Sequence, residues 1–316
     1  MEYILLLVGF ILLIKGADFF VEGASSIAAT LRVPSLIIGL TIVAFGTSAP
    51  ELAVSVTSAL SGANAIAVGN VIGSNIFNIL MVVGISAIIF PLKVEKSILL
   101  KEFPFTLMGT AVLLILSYDT KLNGTNIDVI SKSDGWILLI FFGIFLYYLV
   151  ESALTARKNS QPEDEIETMS MAKSVIMSIG GIIGIVLGGD VVVENATIIA
   201  LKLGMTEGLV GLTIVAIGTS LPELVTSVVA AKKGESDIAL GNVMGSNIFN
   251  MFLILGVSTV INPIPVTHEV FIDIIFMGIT VLVAFIFAAT KRTIGKVEGS
   301  IFVISYIAYM AYIIMR

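Results

Sequence analysis

The sequence predicts an all-α polytopic membrane protein, with ten transmembrane helices arranged as two inverted five-helix repeats and broken helices at the membrane midplane. Three observations carry this expectation. Apolar residues fill 57% of the 316 positions and charged residues only 13%, with a mean hydropathy of +1.07. A chain surrounded by lipid needs that much apolar surface, whereas a water-soluble domain does not. Two motifs recur at an offset of 172 residues, and each copy of the first sets a proline and a glutamate inside an apolar run long enough to cross a bilayer.

Taken in order, the apolar runs place spans at 3–24, 35–60, 65–90, 97–118 and 134–152, then at 173–194, 207–231, 237–261, 269–289 and 299–315. The first lacks a basic start and a small-residue cleavage site, so it reads as a permanent span and not a signal peptide. It is interrupted by Lys15, Asp18 and Glu22, and its counterpart 173–194 carries Asp190 and Glu194 at the positions offset from the two acids. These acids are expected near a membrane surface or along a wet crevice. Residues 1–156 form the first repeat and 173–316 the second. The segment 157–172 between them, with Glu163, Asp164, Glu165 and Glu167, is an acidic linker too short to fold as a domain.

Orientation follows from Lys and Arg. With the N-terminus outside, the inner loops collect Arg32, Lys93, Lys96, Lys101, Arg157, Lys158, Lys173, Lys232, Lys233, Lys291, Arg292 and Lys296. The outer side keeps Lys15, Lys121, Lys132, Lys202 and Arg316. Cytoplasmic loops are the ones enriched in these residues, so both termini are expected outside the cell membrane. Five spans per repeat is an odd number, which turns the second half upside down relative to the first. Inverted repeats of this kind build secondary transporters whose sites lie at the midplane.

Several function classes are excluded by composition. There is no cysteine, hence no disulfide and no thiolate metal site. The single histidine, His268, follows Pro263 and Pro265 in a loop-like stretch and reads as a surface residue. No basic patch suggests nucleic acid, and no stretch points to an obligate protein partner or a cofactor. A hydrolase would need a nucleophile–base pair or a metal-ligand set such as His-Glu-x-x-His, and none is present.

The first motif reads Gly46-Thr47-Ser48-Ala49-Pro50-Glu51 and returns as Gly218-Thr219-Ser220-Leu221-Pro222-Glu223. The second reads Gly69-Asn70-Val71-Ile72-Gly73-Ser74-Asn75-Ile76-Phe77-Asn78 and returns at 241–250 with Met244 in place of Ile72 as its one change. A carboxylate at membrane depth costs about 2.5–3.5 kcal/mol on insertion scales and marks a functional site by default. Pro50 has no N–H for the carbonyl of Gly46, and its ring opens that turn. Irregular backbone at this depth is tolerated only where something polar occupies it. Thr47 and Glu51 lie one turn apart on one helix face, as do Ser74 and Asn78. The repeat brings Thr219, Ser220, Glu223, Ser246 and Asn250. An all-oxygen set with few carboxylates suits hard cations such as Ca²⁺ and Na⁺. Gly, Ser, Thr and Asn also serve close helix packing in membranes, but packing gives no reason to bury two glutamates in equivalent places.

The paired motifs resemble the two alpha-repeats of the calcium/cation antiporter superfamily, most closely those of prokaryotic sodium/calcium exchangers. The resemblance covers the whole chain, with alpha-1 motifs at 39–58 and 69–84 and alpha-2 motifs at 211–230 and 241–256. It implies exchange of Na⁺ for Ca²⁺ and no enzymatic activity. It further implies that calcium is held by Glu51 and Glu223 with the backbone carbonyls of Thr47 and Thr219. Sodium is implied to use Ala44, Thr47, Ser48, Glu51, Ser74, Asn78, Ala216, Thr219, Ser220, Glu223, Ser246 and Asn250. Archaeal and potassium-dependent exchangers of this type carry Asp at the last position. Asn250 departs from that pattern, which argues against potassium transport and leaves the sodium count open. The spans 3–24 and 173–194 are implied to form the bundle that slides past the core. Two rival readings remain: a proton/calcium antiporter using the same glutamates, and a cation channel, against which the internal inverted repeat argues.

Overall fold

The computed structural model describes all residues except 123, 125, 160–168, 205–215 and 316; the side chains of Asn159 and Ala216 are likewise outside the description. The chain is helical almost throughout. Helix α1 spans Glu2–Leu31; a bent pair follows, α2 (Ser35–Thr47) and α3 (Ala49–Leu60); then α4 (Asn64–Ile89), α5 (Ile98–Leu116) and α6 (Lys132–Asn159). The second half has α7 (Met171–Lys202), α8 (Leu221–Lys232), α9 (Ser236–Ile261), α10 (His268–Lys291) and α11 (Lys296–Met315). Among the described residues, eight helices are long and apolar enough to cross a membrane, or nine when the bent pair counts as one span. The expected span 207–231 begins on residues outside the description, as do the core of the acidic linker and the start of the alpha-2 motif at 211.

Polarity is turned inside out relative to a water-soluble protein. Leu7 and Ile140 are more than half exposed, while Glu51, Asn78, Asn247 and Ser246 are buried. Such a surface is stable only in an apolar solvent.

The expected single span 35–60 is broken. Helices α2 and α3 meet at a 49° angle, with Ser48 at the joint in a non-helical conformation (φ −82°, ψ 6°). Pro50 sits in the first turn of α3, where its missing N–H leaves the preceding turn unsupported. Ser220 repeats this conformation (φ −93°, ψ 7°) just before Pro222 at the start of α8.

Helix α1 runs to Leu31, seven residues past the end expected from hydropathy. Its continuation, residues 25–31, mixes serine, threonine and small apolar residues and packs Ile27 and Ala28 into the interior, while the Ser174 hydroxyl donates to the Ser26 hydroxyl at 2.8 Å. Along the rest of this pair, glycines at seven-residue spacing face each other: Gly9, Gly16 and Gly23 on α1, Gly181 and Gly188 on α7. A methyl group on Gly181 would lie 2.6 Å from the main-chain nitrogen of Phe20, and one on Gly16 would lie 2.7 Å from that of Ile185. Only glycine lets these two backbones approach so closely. The end of the pair at the N-terminus of α1 is tied by Lys202 Nζ to Glu2 Oε1 at 2.9 Å. Lys15 and Asp18 pair at 3.6 Å, and Asp18 also meets Lys233, one of the lysines counted on the inner side, at 3.6 Å.

The helical ladder widens to π-helical turns at Gly39–Val43, Asn78–Val82, Ile98–Glu102 and Phe249–Ile254. Such turns are frequent at functional sites, and two of them begin at or beside Asn78 and Asn250. Two short antiparallel pairings, Leu92–Lys93 with Thr293–Ile294 and Val129–Ile130 with Ile264–Pro265, join loops that the all-helical expectation left unpaired.

Candidate functional site

The breaks before Pro50 and Pro222 place Glu51 and Glu223 at the third position of α3 and of α8. A first helical turn offers unpaired N–H groups and the positive end of the helix dipole, which favour a carboxylate there. Both side chains are buried, at 1% exposure each.

Each glutamate is held from the other half of the chain. The Ser220 hydroxyl donates to Glu51 Oε1 at 3.0 Å, and the Ser48 hydroxyl donates to Glu223 Oε1 at 3.0 Å. The Ser220 hydroxyl also lies 3.0 Å from that of Ser74, and Ser246 reaches Glu223 Oε1 at 3.4 Å. The sequence pattern groups these residues by half; the structure crosses Ser48 and Ser220 onto the opposite glutamates, while Ser246 stays with Glu223 of its own half.

Two further asparagines brace the crossing, and sequence reasoning passed over them. Asn70 donates to the main-chain carbonyl of Glu51 at 3.2 Å and to Ser55 Oγ at 2.9 Å. Asn242 does the same for Glu223 at 3.4 Å and Ser227 Oγ at 2.9 Å. Their carbonyl oxygens accept from the opposite threonines, Thr219 at 3.3 Å on Asn70 and Thr47 at 2.9 Å on Asn242. The signal was present, since Asn70 and Asn242 occupy the same place in the two copies of the second motif.

The remaining predicted residues fall as follows. Asn78 and Asn250 are buried on α4 and α9, next to one another through Asn75 and Asn247. Ala44 is buried on α2, and its carbonyl accepts from the Ser48 N–H at 3.0 Å. Thr47 is buried, whereas Thr219 is half-buried. Thr219 lines two clefts. One, of about 410 Å³, runs past Asn70, Ser74 and Asp273 to Tyr306 and Tyr309. The other, of about 560 Å³, is bounded by Pro50, Pro222, Asp190 and Glu194, so these two acids do line a crevice. The backbone of Ala216 lies in the turn Ala216–Gly218.

After these contacts, four buried oxygens at the crossing have no hydrogen-bond donor: Glu51 Oε2, Glu223 Oε2, Asn78 Oδ1 and Asn250 Oδ1. An unsatisfied carboxylate oxygen in a dry interior costs several kcal/mol by itself. Two carboxylates and two amide oxygens left without donors on the motif helices form an acceptor-only set, which suits a cation bound through oxygen.

Comparison with known proteins agrees with this chemistry. The family described as "Sodium/calcium exchanger protein" matches residues 1–151 and 173–315, leaving out the linker. The putative antiporter CaxA of Alkalimonas amylolytica is 38% identical over 97% of this chain and 96% of its own. The sodium/calcium exchanger MaX1 of Methanosarcina acetivorans is 32% identical over 98% and 97%. A structure of the sodium-calcium exchanger NCX_Mj soaked with Na⁺ and Sr²⁺ superposes with a TM-score of 0.84 at 35% identity, covering 98% of each chain. A multi-pass helical membrane fold, buried oxygens without donors in both copies of the motif, and matches along nearly the whole length converge: the chain belongs to the sodium/calcium exchanger protein family.

Proposed function

We propose that this protein exchanges Na⁺ for Ca²⁺ across the cell membrane by alternating access at a midplane site built around Glu51 and Glu223. The observation that carries the reading is the set of four buried oxygens without donors, two of them anionic. Calcium is assigned to Glu51, Glu223, Thr47 and Thr219. Sodium is assigned to these together with Ala44, Ser48, Ser74, Asn78, Ala216, Ser220, Ser246 and Asn250. Both ions are cargo. Relatives that bear the name sodium/calcium exchanger along the full length support the choice of ions.

The coupling follows from charge. An empty pocket with two carboxylates carries a charge of about −2, and moving that through an apolar barrier is costly. One Ca²⁺ cancels it, and so do two Na⁺. Loaded forms therefore switch between inward- and outward-open states far more readily than the empty one. The pair α1–α7, locked together through its facing glycines, is suited to moving as one body past the core.

In this reading ten spans form two inverted halves, 1–156 and 173–316, with both termini outside the cell. The clefts that reach Thr219 then open outward. A cysteine introduced at Asn64 is expected to react with an impermeant thiol reagent added to intact cells, and one at Glu235 only after the membrane is opened. The chain has no native cysteine to confuse the readout. The opposite labelling pattern overturns the orientation.

The function itself is tested with purified protein in liposomes. An outwardly directed sodium gradient is expected to drive ⁴⁵Ca uptake, with no uptake when choline replaces sodium. Uptake driven by a pH gradient in the absence of sodium would transfer the same site to proton/calcium exchange.

A further inference from the structure

We propose that Asn75 and Asn247, which nothing above assigns to the ions, are positioning residues that aim the amide oxygens of Asn78 and Asn250 into the pocket. The proposal rests on the reading of that pocket as an ion site. All four asparagines are buried, with at most 1% exposure.

The geometry forms a closed relay between α4 and α9. Asn75 donates through Nδ2 to the main-chain carbonyl of Asn247 at 3.3 Å, and Asn247 returns the same bond to the carbonyl of Asn75 at 3.4 Å. A carbonyl only accepts, so the nitrogen of each side chain must face it. Asn75 has a second tie on the same nitrogen, the thioether of Met277 at 3.5 Å. The oxygens of the two side chains are thereby turned the other way. Asn75 Oδ1 accepts from Asn250 Nδ2 at 3.0 Å, and Asn247 Oδ1 accepts from Asn78 Nδ2 at 3.1 Å.

The relay decides which end of each amide meets an ion. If Asn250 turned over, its Oδ1 would face the Oδ1 of Asn75, two acceptors with no proton between them. Asn75 cannot turn in response, because its own oxygen would then face the carbonyl of Asn247. The same holds for Asn78 and Asn247. Two backbone carbonyls, which no side-chain rotation can alter, thus fix both amides with oxygen toward the pocket. Asn78 Oδ1 and Asn250 Oδ1 are the oxygens left without a donor. Each half of the chain orients the other half's ligand: Asn75 serves Asn250, one helix away, and not Asn78, one turn along its own helix.

That crossing supplies the test. Half-saturating Na⁺ is measured in proteoliposomes for Asn75→Ala and Asn247→Ala, alone and combined with Asn78→Ala or Asn250→Ala. Asn75→Ala is expected to raise it roughly fivefold, the worth of one net hydrogen bond, with a smaller change in maximal rate per folded protein. In an Asn250→Ala background Asn75→Ala should add nothing, because no amide remains to be oriented. In an Asn78→Ala background it should keep its full effect. Asn247→Ala should show the mirror pattern, and it carries the test alone if Asn75→Ala does not yield monodisperse protein. Equal effects in both backgrounds, or an unchanged half-saturation, would make these asparagines packing residues and overturn the proposal. Asn78→Ala and Asn250→Ala that bind sodium like the parent would instead remove these amides from the ion site, and the proposal with it.

Discussion

Glu51→Gln and Glu223→Gln are each expected to lower calcium transport at least about tenfold, the equivalent of roughly 1.4 kcal/mol. Glutamine keeps the length of the side chain and an oxygen that can still accept from Ser220 or Ser48. What it removes is one of two negative charges facing a divalent ion, in a pocket where both carboxylates are 1% exposed and water screens little. It also turns an N–H₂ group toward a cation or toward space without an acceptor. The contacts of the two glutamates are reciprocal, each accepting at 3.0 Å from the serine of the other half, so the two losses should be similar in size. Initial rates of ⁴⁵Ca uptake at low calcium, normalised to folded protein, provide the measurement. Ser48→Ala and Ser220→Ala should fall short of this loss, since each removes a neutral donor and leaves both charges. Two single glutamine variants that exchange calcium like the parent would place the site elsewhere.

Much of this arrangement is legible in the amino-acid order because the pocket is made twice. Repetition at 172 residues singles out Glu51, Ser74 and Asn78 together with Glu223, Ser246 and Asn250 before any helix is placed. The break at Ser48 is legible because Pro50 removes a backbone donor, a local cause that needs no tertiary knowledge. The length of α1 is not, since hydropathy registers lipid-facing apolar surface. Residues such as Ser26, half-buried and hydrogen-bonded to Ser174, look like a loop until their partner is known. The crossing of the serines onto the opposite glutamates is also hidden. Periodicity fixes which residues share a helix face and says nothing about which helix that face meets. The asparagines show the same limit most clearly. An amide can donate or accept with either end, and only the carbonyls opposite Asn75 and Asn247 decide the direction.

Exchange is expected to be electrogenic and independent of potassium. In the proposed site two formal negative charges, Glu51 and Glu223, face the ions, because Asn250, the repeat partner of Asn78, supplies a neutral amide. Calcium occupancy is then neutral. Two sodium ions are also neutral, and a third makes the loaded carrier +1. Neutral oxygens for a third ion are at hand: the amide oxygens of Asn78 and Asn250 have no donor, and the hydroxyls of Ser74 and Ser246 border the same carboxylates. Moving one net charge through the full field changes the free energy by about 2.3 kcal/mol per 100 mV. At 25 °C that is a shift of about fifty-fold in the calcium ratio the exchanger can sustain. In liposomes with clamped potential, the voltage at which net calcium flux vanishes should therefore move as the sodium gradient is changed, in potassium-free solution. Flux indifferent to voltage would limit the carrier to two sodium ions. A strict need for potassium would mean that the neutral amide of Asn250 does not set the charge of the site.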